Sequence, residues 1–389
     1  MKKTKKTFWV ILPIIVMIGG LGFGLRSYAQ HTMLVDFDEP TYINIALDYA
    51  NFIRDGDYKW IAWYDQNAEH PILGKLAYAA MLLTQPQVED LGEKDIMWLK
   101  PVYPDGARYV YSTRLVAVIF GSLTVVVLAI LNPLAGLLLA IQNTAIHYTS
   151  TIYLEALPAL MSTCAAFCYV KWLRTKPKKL ETPSYHPTDL WFYTSGMFLG
   201  LTAGSKYVYA LVGIAIGIDY LWRSLKDRKN WKYSLFKIIG WGFITIGFFF
   251  IFNPILWPHP IQRLVDSIIF HKNYAQSEFV VVRTNHPWWQ PFVWLVSQNP
   301  RYHPAFFFNP DLVILILSFI GLPFTWKKNR VFAIWLILSL VFLLVWRTKW
   351  PQYIMILVTP LCLSAAVGLQ NIFYRLSVYL NRKSKKTAV

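Results

Sequence analysis

The sequence predicts an all-α protein that crosses a membrane about ten times. Three observations predict it. The first is composition: 55% of the 389 residues are hydrophobic and 15% are charged, against roughly 25% charged in a soluble globular chain. The second is a succession of apolar runs near the ~20 residues that a spanning helix needs. The third is the confinement of Lys and Arg to alternate loops, the pattern that cytoplasmic loops carry. The 17 tryptophans and 23 tyrosines fit a chain with interfacial belts of amphipathic rings.

The first run, Phe8 to Leu25, follows "MKKTKK". It reads as an uncleaved anchor and not as a signal peptide, because no small-residue cleavage pattern follows it closely. The other runs fall at 114–131, 133–150, 152–171, 190–204, 207–222, 234–252, 311–326, 331–346 and 352–372. Ten spans leave both termini on one side. The alternate loops "KKTKK", "KWLRTKPKK", "RSLKDRKNWKYSLFK", "WKKNR" and the tail 375–389 hold 23 of the 38 basic residues, which places them and the termini in the cytoplasm. The loop 26–113 then lies outside, or on the equivalent luminal side, and holds 13 of the 21 acidic residues. The whole of 1–389 reads as a single membrane domain. Its net charge of +17 belongs to those inner loops, so nucleic acid is not implied. Cys164, Cys168 and Cys362 all fall in apolar runs without metal-ligand spacing, and no divalent metal or other cofactor is implied.

The outer loop has structure of its own. After "VDFDEP", Tyr42, Ile45, Ala46, Tyr49, Phe52 and Ile53 recur at helical spacing and predict a helix lying along the interface. "PILGKLAYAAMLL", residues 71–83, is too short to span and reads the same way.

"DE" at the head of an interfacial helix, then "EHPILGKL", "TRLVAVIFGSLTVVVL", "YLEALPAL" and "GLTAGSKYV" form an ordered set that resembles the protein O-mannosyltransferases. It also resembles the wider group of bacterial family 39 membrane glycosyltransferases. The resemblance spans residue 8 to about 222 and continues weakly through "NHPWWQPFVW" and "TKWPQYIMILVTP", with "HPI" where the family usually has two prolines. It implies the GT-C fold and a polyprenyl-phosphate sugar donor, with mannose as the default sugar. The acceptor is left open among protein, glycan and lipid.

Such a transfer needs a base for the acceptor hydroxyl and cations for the departing phosphate. Asp38 is the first choice as base, and its competing role is N-cap of the helix whose first turn holds Pro40. Glu39 stands beside it to orient the acceptor or pair with a cation, and Asp36 reads as solvated. Glu155, near the outer end of the fourth run, faces either a cavity or the interface; the resemblance puts an acidic residue facing the site there. For the donor phosphate the candidates are Lys206, alone in the apolar "GSKYVY", Arg114 at an outer helix end, and Arg347 and Lys349 in "WRTKWPQY". Each is weighed against an ordinary interfacial cation. Tyr42, Glu69, His70, Lys75 and His286 are the expected acceptor or sugar pocket. The two histidines lack the third partner and the spacing of a metal site. No G-x-x-x-x-G-K-S/T loop is present, in keeping with a lipid donor and not a nucleotide. The rival classes are a lipid or sugar transporter, which would place ionisable groups near the bilayer midplane, and a non-catalytic scaffold, which needs none of these residues.

Overall fold

The computed structural model describes residues 2–89, 91, 104–175, 186–226, 231–296 and 310–387. The acidic stretch 92–103 and most of the expected cytoplasmic loops at 176–185 and 227–230 lie outside the described residues. Among the described residues every regular element is a helix. In chain order they are α1 (Lys2–Thr32), α2 (Glu39–Arg54), α3 (Lys59–Trp63), α4 (Leu73–Leu82), α5 (Pro104–Leu131), α6 (Pro133–Ile141), α7 (Asn143–Tyr148), α8 (Ala156–Thr175) and α9 (Asp189–Ser205). A 3₁₀ turn (Tyr207–Ala210) leads into α10 (Leu211–Lys226), followed by α11 (Trp231–Ile251), α12 (Pro260–Tyr274), α13 (Glu278–Thr284), α14 (Gln290–Val296), α15 (Asp311–Lys328), α16 (Arg330–Val345) and α17 (Met355–Thr387).

Among the described residues six helical segments are long and apolar enough to cross a membrane: 11–32, 107–131, 156–175, 207–225, 231–251 and 351–381. They account for six of the ten expected spans. Three more correspond to α9, α15 and α16, of 17, 18 and 16 residues. The outer faces of such helices carry exposed side chains such as Phe243 and Ile246, as a lipid-facing surface should.

The tenth expected span, 133–150, is corrected by the structure: it is two short helices broken at Gln142. Asn132 caps α6, accepting from the amides of Leu134 and Ala135, with Pro133 in the first turn. At the break, the Asp311 carboxylate accepts from the amide of Asn143 at 2.9 Å and from Gln142 Nε2 at 2.8 Å, while Gln142 Oε1 caps the amide of Ala145. The last carbonyls of α6 meet Arg26, whose guanidinium donates to Leu139, Ala140 and the Thr149 hydroxyl. The interruption therefore has its orphaned backbone groups satisfied by side chains from α1 and α15.

Arg26 itself corrects the expected start of the outer loop. It lies buried inside α1, which continues to Thr32, and α5 begins ten residues before the expected span at 114. The two predicted short helices are present as α2 and α4, with α3 between them. α2 buries Tyr42, Ile45, Ala46 and Tyr49 of the expected stripe, leaves Phe52 and Ile53 half-buried, and buries Ile43, Leu47 and Ala50 beside it; it packs on α4, which rests on α5. α15 and α17 pack so closely that a Cβ on Gly321 would meet the Ser364 carbonyl oxygen at 1.9 Å, the close backbone approach that small residues permit between membrane helices.

Candidate active site

The head of α2 faces a cavity of about 510 Å³ walled by the first loop, by α12 and α13, and by the turn that leads into α17. Asp38 stands on its wall at the N-cap position of α2, yet its side chain makes no capping hydrogen bond. Pro40 in the first turn leaves fewer amides to cap. The carboxylate instead meets the amide of Gln352, at 3.5 Å. Burial pushes the Asp38 carboxyl up to about 6; Lys206 opposes the rise, and the negative charges of Asp36 and Glu155 add to it.

Glu39, one residue on, is in the opposite state. It is fully buried and accepts from Arg114 Nε at 2.8 Å, Arg114 Nη2 at 2.5 Å, the amide of Ile152 at 2.6 Å and the amide of Asp36 at 2.8 Å. Arg114 donates further to the carbonyls of Gln30, Met33 and Leu34 at 2.7–2.9 Å, so all five guanidinium N–H groups are engaged. The pair ties the end of α1, the head of α2 and α5 together. Arg114, expected at the donor phosphate, has no donor left for one. Asp36, expected to be solvated, is half-buried and accepts from or pairs with His147 Nε2 at 3.0 Å; that contact holds its carboxyl below its ordinary value against burial, which acts the other way.

Glu155 and Lys206 do come together. Glu155 precedes the first residue of α8 and is fully buried. It receives a very short hydrogen bond from Lys206 Nζ and one of 2.6 Å from the Tyr209 hydroxyl. Lys206 ends α9 in an extended conformation, which throws its side chain out of the helix and onto the cavity wall. Its ammonium lies 5.6 Å from the ring centroid of Tyr353, a cation–π distance. Lys206 thus bridges the buried Glu155 and the cavity.

The remaining candidates divide. Tyr42, Glu69 and His70 line the cavity. Lys75 does not: it is buried behind the wall, and its three N–H groups go to the Asn67 carbonyl at 2.8 Å, the Asn67 side-chain oxygen at 3.2 Å and the His70 carbonyl at 3.2 Å. It shapes the turn 67–70, where Asn67 adopts the left-handed conformation that Asn tolerates better than most residues. Burial pulls the Lys75 ammonium down to about 7. Lys349 is likewise spent, donating to the carbonyls of Leu343, Leu344 and Trp346 at the end of α16. Arg347 is exposed and outside the cavity wall, and His286 is exposed against Trp294. Residues that the sequence did not single out complete the wall: Gln352 and Tyr353 from "WPQY", His271, whose ring lies 5.3 Å from that of His70, and Arg283. Burial, followed by the charge of Lys206, lowers the values of both imidazoles, which favours the neutral form of each ring. The signal for Arg283 was a single cation in the otherwise apolar stretch "FVVVRT".

The structure is similar to ArnT from Cupriavidus metallidurans in the apo state, with a TM-score of 0.61 at 15% identity over 94% of this chain and 60% of that one. ArnT bound to undecaprenyl phosphate gives 0.60 at the same identity and coverage. The Archaeoglobus fulgidus oligosaccharyltransferase tethered with an acceptor peptide gives 0.56 at 12% identity, over 96% of this chain and 51% of that one. This chain therefore spans about three fifths of the ArnT chain and half of the oligosaccharyltransferase chain. At these identities the likeness establishes the fold, which is GT-C. A comparison with curated proteins finds no match. The family described as dolichyl-phosphate-mannose-protein mannosyltransferase matches residues 37–259, from the residue before Asp38 through Glu155 and Lys206, and the chain belongs to that family.

Proposed function

We propose that this protein is an inverting glycosyltransferase that moves a sugar, mannose by family, from a polyprenyl phosphate to an acceptor hydroxyl at the external face of the membrane. The observation that carries this reading is Asp38: a carboxylate on a cavity wall, unused as a helix cap, with its value raised to about 6 by burial. A base that close to neutral pH is largely ionised yet readily takes a proton. In the proposed step Asp38 removes the acceptor hydroxyl proton as the oxygen attacks the anomeric carbon. The bond from that carbon to the phosphate oxygen breaks, and the polyprenyl phosphate leaves with the electron pair. Lys206 stabilises the charge that develops on the phosphate, while Glu155 and Tyr209 fix the direction of its ammonium. Glu39 and Arg114 act one layer back, holding the head of α2 where Asp38 faces the cavity.

The cavity supports a sugar as the transferred group. Its wall mixes aromatic faces, Tyr42, Tyr148, Tyr153 and Trp350, with carboxylate and imidazole acceptors, and about 510 Å³ lies within the usual range of ligand sites. The test is to incubate membranes containing the protein with a panel of labelled polyprenyl-phosphate sugars. Movement of the mannose label to an acceptor is the expected result. Movement of another sugar would correct the donor, and movement of none would overturn the reading.

A further inference from the structure

The lipid phosphate of the proposed donor needs cations; three of its four sequence candidates, and Lys75 from the expected sugar pocket, are ruled out by their surroundings. All five N–H groups of Arg114 are engaged within the protein. Lys75 and Lys349 have each spent three donors on backbone or side-chain oxygens. Arg347 is not on the cavity wall. Lys206 is there, but Glu155 already neutralises it. The same wall carries three carboxylates, Asp36, Asp38 and Glu69. The donor's phosphodiester brings one negative charge and the polyprenyl phosphate product up to two, and a cavity of that charge would repel both unless a further cation met them.

Arg283 is that cation. It lines the cavity from α13 and, among the described residues, has no carboxylate within salt-bridge distance. Its guanidinium lies 3.7 Å from the ring centroid of Phe279, one turn earlier on the same helix and also on the wall. Stacking on that face orients the planar group and leaves its edge N–H groups to a ligand. A guanidinium edge matches two phosphate oxygens at once, which the Lys206 ammonium cannot do. We infer that Arg283 is the second phosphate ligand of this cavity, acting with Lys206 on the phosphate of the polyprenyl donor and of the polyprenyl phosphate product. The inference rests on the proposed use of a lipid-phosphate donor.

The experiment measures binding of labelled undecaprenyl phosphate to the full chain purified in detergent, with sugar transfer followed on the same samples. Arg283 is exposed and, among the described residues, without an ionic partner, so its replacement should leave the fold intact, which thermal unfolding checks. Arg283→Gln should weaken binding by about ten- to a hundred-fold, the loss of a charged hydrogen-bond pair. Arg283→Lys should recover part of it, and Arg347→Gln should bind as the wild type does. Inorganic phosphate should compete, whereas phosphatidylglycerol micelles at equal phosphate should compete less. Wild-type affinity in Arg283→Gln, or equal displacement by phosphatidylglycerol, would overturn the assignment, the latter by making Arg283 a general headgroup contact. If the wild type binds the lipid but transfers no sugar, the proposed function falls and Arg283 stands; if it does not bind the lipid at all, both fall.

Discussion

Asp38 and Glu39 are neighbours in the chain with opposite fates, and what separates them is hydrogen bonding. Glu39 receives four donors and has no capacity to spare for chemistry, whereas Asp38 has one distant amide and an open cavity. Arg114→Gln should therefore act on the fold, leaving a buried carboxylate without its cation at a cost of about 3–5 kcal/mol, measured by unfolding in detergent. The folded fraction should bind donor with wild-type affinity; selective loss of donor affinity at unchanged stability would return Arg114 to the phosphate site. The sequence offered Asp38 as the N-cap of its helix and left Lys206 between the runs 190–204 and 207–222, because caps and the ends of apolar runs are local features. It could not tell the spent cations from the available ones. Arg114 is consumed by carbonyls at the end of α1, some 80 residues away in the chain, and nothing near it in sequence announces that.

The helices repeat this lesson. Long apolar runs with basic flanks were legible because hydropathy is local, and α2 was legible because its buried stripe recurs at helical spacing. The break at Gln142 was not. Its partner Asp311 is 168 residues distant, and an apolar sequence interrupted by "QNT" remains apolar on average. Asn132 and Pro133 did carry a local start signal for α6. Asp311→Ala removes the acceptor for the amides of Asn143 and Thr144 and should cost ~1–2 kcal/mol, as the loss of a helix cap does. Because α7 carries His147, which holds Asp36 on the cavity wall, the same variant should also lower transfer. Unchanged unfolding would show that Asp311 does not hold the break.

For the whole molecule the proposed chemistry requires that the cavity open on the side opposite the basic loops. In a background with Cys164, Cys168 and Cys362 replaced, an impermeant thiol reagent applied to intact cells should modify Asp57→Cys, in the exposed turn after α2, and spare Lys328→Cys, at the exposed end of α15. The reverse pattern would place the cavity in the cytoplasm and contradict the external reading. The GT-C fold was within reach of the sequence through its ordered motifs, while the number of true spans was not. Segments of 16–18 residues such as α16 and α15 sit at the lower limit of spanning length, so neighbours and bilayer thickness decide what they do.

The central claim is that Asp38 accepts the proton, and Asp38→Asn tests it most directly. Asparagine keeps the size of the side chain, and no capping bond is lost because Asp38 makes none. The folded-state value of about 6 lies above the ordinary 3.8, so ionised Asp38 costs stability: its favourable contribution is present below pH 3.8 and lost as pH rises through about 6. Asp38→Asn should therefore be at least as stable as the wild type at pH 8, which separates a catalytic defect from misfolding. Wild-type transfer should decline as pH falls through about 6, because protonation disables the base. The decisive measurement is the single-turnover rate of Asp38→Asn at saturating donor and acceptor. The account predicts a fall of at least ~10²-fold with donor affinity retained, and a rate near that of the wild type would contradict it.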